Sequence, residues 1–258
     1  MSAQNKILHG LALSHAALIS VIFCLMILSF PIGAYLVFNS EIGDDITYEY
    51  PMDSFSLFLA GIGFEVPITF ELGDGFIVIW CTFLILFTTA ILGPKKKIIA
   101  MLQSMISGDN YKIQDNYIVA TIKWFSILVI ISGAIIGIQE FIGIYVEQPE
   151  APNQLIQFFD ISFAPLIEEF GFRVMLIGLP LFMLYSHKSS FKFLVKSLWM
   201  PWQNLHNVNM KNALMLIVIV GVFFGVAHIF SDEAWNSGKL AQAVTSGIII
   251  GWVYFRYG

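Results

Sequence analysis

The chain has 258 residues, of which 57% are hydrophobic and only 12% charged, with a net charge of −5 and a mean hydropathy of +0.78. Soluble domains carry about 25% charged residues, so composition excludes an ordinary water-soluble globule and points to an integral, multi-pass protein, expected in the cell membrane. No basic stripe stands outside the connecting loops, which argues against nucleic acid as a partner.

The first apolar run, residues 10–38, is too long for a cleaved signal and reads as a membrane anchor. Further runs follow at about 75–94, 117–146, 160–186, 212–230 and 241–258, each near the roughly 20 residues that a spanning helix needs. The expected fold class is therefore all-α, a polytopic transmembrane helical bundle of about six spans. The segments between them alternate in charge. Residues 39–74 carry Glu41, Asp44, Asp45, Glu49, Asp53, Glu65, Glu71 and Asp74 with no Lys or Arg, and the next loop opens with Lys95-Lys96-Lys97. Glu147 and Glu150 follow the third span, and Lys188, Lys192, Lys196 and Lys211 follow the fourth. Lys and Arg collect on the cytoplasmic side, so the N-terminus is expected in the cytoplasm and the acidic loops outside.

Within the acidic outer loop, Ile46-Thr47-Tyr48 and the run Phe64 to Phe70 are expected to pair as short strands. Residues 98–106 read as a short helix at the inner surface. Two regions are expected, 1–116 with two spans and 117–258 as the core. Cys24 and Cys81 lie in different apolar runs, so no disulfide framework is expected, and no CxxC-type zinc pattern occurs. Three small-residue pairs, Gly133/Gly137, Gly221/Gly225 and Gly247/Gly251, mark faces where helices can approach closely.

The fourth span carries the chemistry, in the run Glu168-Glu169-Phe170-Gly171-Phe172-Arg173. A charge at mid-bilayer costs about 2.5–3.5 kcal/mol on insertion scales, so three in one segment point either to function or to an ion pair that locks helices together. Glu169 and Arg173 are four apart and share a helix face, with the acid N-terminal to the base. Glu168 is turned about 100° away, which leaves one carboxylate free for another task. Next to a dry site its charged form is disfavoured, which suits it to accept and return a proton. A partner stands on the fifth span, where Phe224 and His228 are four apart and Gly225 permits close approach. At 1.5 Å per residue Glu168 lies about 12 Å, and His228 about 6 Å, below the outer surface of a 30 Å core, so the two can meet. Glu140, near the outer end of the third span, reads as a snorkelling residue, and Lys123 with Trp124 as an interfacial anchor.

The pattern Glu168-Glu169-x-x-x-Arg173 followed by Phe224-x-x-x-His228 resembles the first two motifs of the type II CAAX prenyl endopeptidase and bacteriocin-processing family, also called the Abi family, whose members are intramembrane proteases. The resemblance covers about residues 117–258. It implies an intramembrane endopeptidase acting on a membrane-associated protein or peptide, with Glu168 and His228 activating a water and with Glu169, Arg173 and Phe224 in support. The family has been described both as glutamate-dependent and as metal-dependent. A divalent metal such as zinc is possible but not favoured, since the chain has no HExxH and Glu168, Glu169 and His228 alone make a thin zinc shell.

Family members continue past a stretch like Gly247-x-x-x-Gly251-x-x-x-x-Arg256-Tyr257-Gly258 into a helix with a His and, four residues on, an Asn or Asp, thought to donate to the oxyanion. The chain stops at Gly258 and is therefore expected to be a fragment of a longer protein, or else inactive. Charge places Glu168 and His228 nearer the outer face, so a CAAX substrate is not assigned. Two rival readings are a catalytically silent scaffold or immunity-type protein and, ranked last for want of an internal repeat, a proton-coupled transporter.

Overall fold

The computed structural model describes residues 3–39, 48–109, 111–147, 154–230 and 235–258. Most of them are helical, which agrees with the all-α expectation, and among the described residues strands occur only within 51–71. The helices are α1 (Ala3–Asn39), α2 (Leu72–Leu92), α3 (Ile98–Ser107), α4 (Tyr117–Phe141) and α5 (Gln154–Glu168). α5 continues without a break into a π-helical segment, Glu169–Gly178, and then α6 (Leu179–Tyr185). α7 (Phe191–Trp199), the single turn α8 (Pro201–Asn204), α9 (Met210–Phe230) and α10 (Lys239–Tyr257) complete the chain.

Among the described residues, four stretches are long and apolar enough to cross a membrane: Gly10–Asn39, Leu72–Leu92, Tyr117–Phe141 and Met210–Phe230. They fit an integral membrane protein. The other two expected spans fall on the helix of residues 154–185, which carries the three charges, and on the more polar α10, which has Lys239 and Arg256 near its two ends.

The chain divides into two compact units, Met1–Tyr50 with Glu71–Phe125, and Pro51–Phe70 with Ser126–Gly258. In the first, the short helix expected at 98–106 is α3. Its Ile98, Met101 and Met105, spaced three and four apart, are buried with Ala16 and Ile19 of α1 and Ile118, Val119 and Ile122 of α4. Asn116, fully buried, accepts from Val119 N through Oδ1 and donates through Nδ2 to the carbonyls of Ile91 (3.2 Å) and Lys96 (2.8 Å). One amide thus caps α4 and ties it to the preceding turn.

In the second unit, β1 (Pro51–Met52) and β4 (Phe70–Glu71) flank an antiparallel hairpin of β2 (Phe55–Leu59) and β3 (Ile62–Val66), with Leu59 opposite Ile62. This corrects the expected pairing of 46–48 with 64–70. Ile46 and Thr47 lie outside the described residues, and Tyr48 stands in a turn with its carbonyl accepting from Gly73 N (2.7 Å). The local reason is the two-residue connection Ala60-Gly61, both at positive φ (51° and 84°), a turn geometry that pairs the strands on either side of it.

α9 and α10 form the most extensive helix pair, running antiparallel through their glycines. A Cβ at Gly221 would lie 2.8 Å from Ile248 N, and one at Gly225 would lie 2.9 Å from Val244 N. A Cβ at Gly251 would press on Ile177 and Ile217. The core beside this contact includes Phe172, Ile177, Leu181, Ile217, Val220, Phe224, Tyr254 and Phe255.

Candidate active site

Pro165 sits inside α5 without an N–H to give, and four residues later the helix widens into its π turns. The Leu179 N–H donates to the carbonyl of Val174, five residues back. π turns are rare and recur at functional sites. Here they carry Glu169, Arg173 and the glycine between them. Gly171 lies where a Cβ would be 2.6 Å from the backbone nitrogen of Ala60, so the hairpin tip rests directly on the motif. The same tip rests on α9, since a Cβ at Gly61 would be 2.6 Å from Cζ of Phe223.

The two adjacent carboxylates take different partners. Glu169 Oε1 lies 3.5 Å from Nε of Arg173, one turn on along the same segment. Glu168 Oε1 lies 3.6 Å from Nε2 of His228 on α9. Side-chain exposure is 30% for Glu168 and 19% for His228, so the pair is reachable without being open. His228 Nδ1 lies 2.8 Å from the carbonyl of Phe224. A carbonyl only accepts, so Nδ1 carries the proton and a neutral ring turns the lone pair of Nε2 toward Glu168. The gap of 3.6 Å exceeds a direct hydrogen bond, and a water placed beside the pair can bond to both atoms.

Arg173 is 1% exposed, and among the described residues none of its three guanidinium nitrogens finds a hydrogen-bond partner. It is held by the Glu169 charge and by the Phe224 ring, whose centroid is 4.4 Å from Cζ. Phe224 also meets Phe172 edge-on at 4.9 Å and His228 at 4.5 Å. The ring is therefore a hub that couples the cation on one helix to the imidazole on the next.

Sequence reasoning did not single out Lys239. The antiparallel register that sets Gly225 against Val244 brings the start of α10 level with the last turn of α9. The connection turns back there, Trp235 N donating to the carbonyl of His228 (3.1 Å), and Lys239 Nζ lies 4.1 Å from the centre of the Trp235 ring. The Glu168 carboxylate acts electrostatically on this ammonium. The loop is tied to the end of α4, where Gln139 Nε2 donates to Gly238 O (2.7 Å) and Asn236 Nδ2 donates to Tyr145 O (2.8 Å). Glu140 is exposed; its neighbour Gln139 makes the bond to the α10 start. The one sequence signal for Lys239 was a basic residue heading a glycine-spaced helix that faces the His228 span.

Glu168 and His228 offer two metal donors, and among the described residues no group of three or more His, Cys, Asp or Glu converges as a metal site. A catalytic zinc takes three protein ligands, so the residues described here do not make up a zinc donor set. A shallow depression lined by Phe182, Met183, Ser186, His187 and Lys188 lies at the far end of α6 and does not touch this pair.

Comparison with protein-family models matches residues 150–258 to the type II CAAX prenyl endopeptidase Rce1-like family. Neither the curated proteins nor the solved structures yield a match.

Proposed function

We propose that the chain, whose residues 150–258 match the type II CAAX prenyl endopeptidase Rce1-like family model, is an intramembrane endopeptidase in which Glu168 and His228 activate a water. The observation that carries this reading is the approach of Glu168 to Nε2 of His228 while Nδ1–H is held by the Phe224 carbonyl. A water bonded to both atoms presents an oxygen lone pair to a peptide carbonyl. As its oxygen attacks the carbon, its proton passes to Glu168, and the carbonyl oxygen becomes an oxyanion. The proton is then delivered to the leaving nitrogen, the C–N bond breaks, and a carboxyl and an amine terminus result. The Lys239 ammonium interacts electrostatically with the Glu168 carboxylate. The Glu169–Arg173 pair occupies the second carboxylate, and the Phe224 ring holds the guanidinium in place.

The substrate class is a membrane-associated protein or peptide presented from the side on which the hairpin of residues 55–66 lies. That hairpin, drawn from the acidic segment 39–74, rests on Gly171 and Phe223, beside the pair, and charge counting places the segment outside. One observation favours a silent scaffold instead: the Arg173–Phe224 contact by itself ties the π segment to α9.

Membrane-protein N-termini compared by mass spectrometry in cells making the chain or its Glu168→Ala form separate the two. Peptide ends that vanish in the variant support proteolysis and name its substrate. Identical ends at equal expression support the scaffold.

A further inference from the structure

α7 is a nine-residue helix with two chemically different arcs. At about 100° per residue, Ser197 is buried and Phe193 and Leu194 half-buried on the inward side, while Phe191, Val195 and Trp199 share the outward arc. These three apolar side chains are 80%, 49% and 49% exposed. Lys192 and Lys196 continue the same outward arc on one edge. Lys188 adds a third cation before the helix start, at the shallow depression at the end of α6, with its Nζ 5.9 Å from the centre of the Phe193 ring. Residues 187–211 hold Lys188, Lys192, Lys196 and Lys211 and no Asp or Glu.

The helix is fixed in this orientation. Ser190 Oγ accepts from Phe193 N at its start (3.3 Å). Tyr254 Oη donates to the carbonyl of Leu198 (2.6 Å), and Asn204 Nδ2 donates to those of Lys196 (3.0 Å) and Met200 (2.9 Å). Trp202 stands edge-on to Phe255 at 5.5 Å and under Arg256 at 4.4 Å. The outward arc is therefore preset and requires no ordering on contact.

We propose that α7 lies in the headgroup layer and binds anionic phospholipids, with Phe191, Val195 and Trp199 at the acyl boundary and Lys188, Lys192 and Lys196 on the phosphates. An arc that is apolar on one edge and cationic on the next matches the boundary between acyl chains and headgroups. Charge complementarity selects the anionic lipid. Proximity selects a lipid surface over a soluble partner, because α7 lies in the connection that leads from α6 into the apolar span α9.

The test is hydrogen exchange, read by mass spectrometry, on the full chain in nanodiscs of phosphatidylcholine with and without phosphatidylglycerol. A surface lysine gains about fivefold from an anionic leaflet, so exchange across residues 191–199 is expected to slow on the order of tenfold with phosphatidylglycerol. High salt should reverse the slowing, and α9 should be unchanged. The combined Lys188→Gln, Lys192→Gln and Lys196→Gln variant should lose the lipid difference. Equal exchange of the native chain in the two discs overturns the proposal without needing the variant. So does slowing produced by inorganic phosphate in the neutral disc, which would mark a site for a soluble anion.

Discussion

The glycine pairs of α4 and α9 have the same spacing, and the structure treats them differently. A Cβ at Gly133 or Gly137 meets nothing within 4 Å, whereas Cβ atoms at Gly221 and Gly225 would run into Ile248 and Val244 of α10. A small-xxx-small pattern states that a face can be approached; the apposed helix decides whether it is. At α9 the approach has a chemical result. It brings the start of α10, with Lys239, within electrostatic reach of Glu168, and it packs the last turns of α9 before His228. At α4 the glycines leave an open face.

The largest effect expected from this contrast is on the chemistry that the α9 contact positions. Glu168→Gln should lower peptide hydrolysis by about 10²–10⁴-fold while the melting temperature in detergent stays close to the native value. Activity retained in full would detach Glu168 from the reaction. Next is Gly225→Val, which forces α9 from α10 and should destabilise the chain by about 1–3 kcal/mol, read by thermal or denaturant unfolding, with activity falling as well. Phe224→Leu should follow, removing a cation–π contact worth roughly 0.5–2 kcal/mol, and should lower activity more than stability because the same ring touches His228. The smallest effect belongs to Gly137→Val, expected to stay within about 0.5 kcal/mol. If Gly137→Val proves as damaging as Gly225→Val, the contrast between the two faces fails.

What the sequence revealed, and what it hid, follows from the range of the forces involved. The membrane helices were legible because bilayer thickness imposes a length on every apolar run. The approach of Glu168 to His228 was legible for the same reason, since rise per residue converts position into depth. The π turns after Pro165 were not, because apolar periodicity changes little when a helix widens by one residue per turn. A strand pair was expected between residues 46–48 and 64–70, yet the hairpin that forms pairs 55–59 with 62–66 around Ala60-Gly61, a weaker turn signal than Asn-Gly. Lys239 was missed because its relation to Glu168 depends on the α9–α10 register, which is set by tertiary contacts.

The hairpin tip also sets an order of events during synthesis. Ala60 and Gly61 rest on Gly171 and Phe223, residues that leave the ribosome long after them. At about 5–20 residues per second the separations of roughly 110 and 160 residues amount to some five to thirty seconds. During that interval the finished hairpin has no floor to settle on, and the helix carrying Glu168 enters the membrane before the one carrying His228. A nascent chain thus holds the carboxylate without the imidazole, and the cover, though made first, is the last part to find its place.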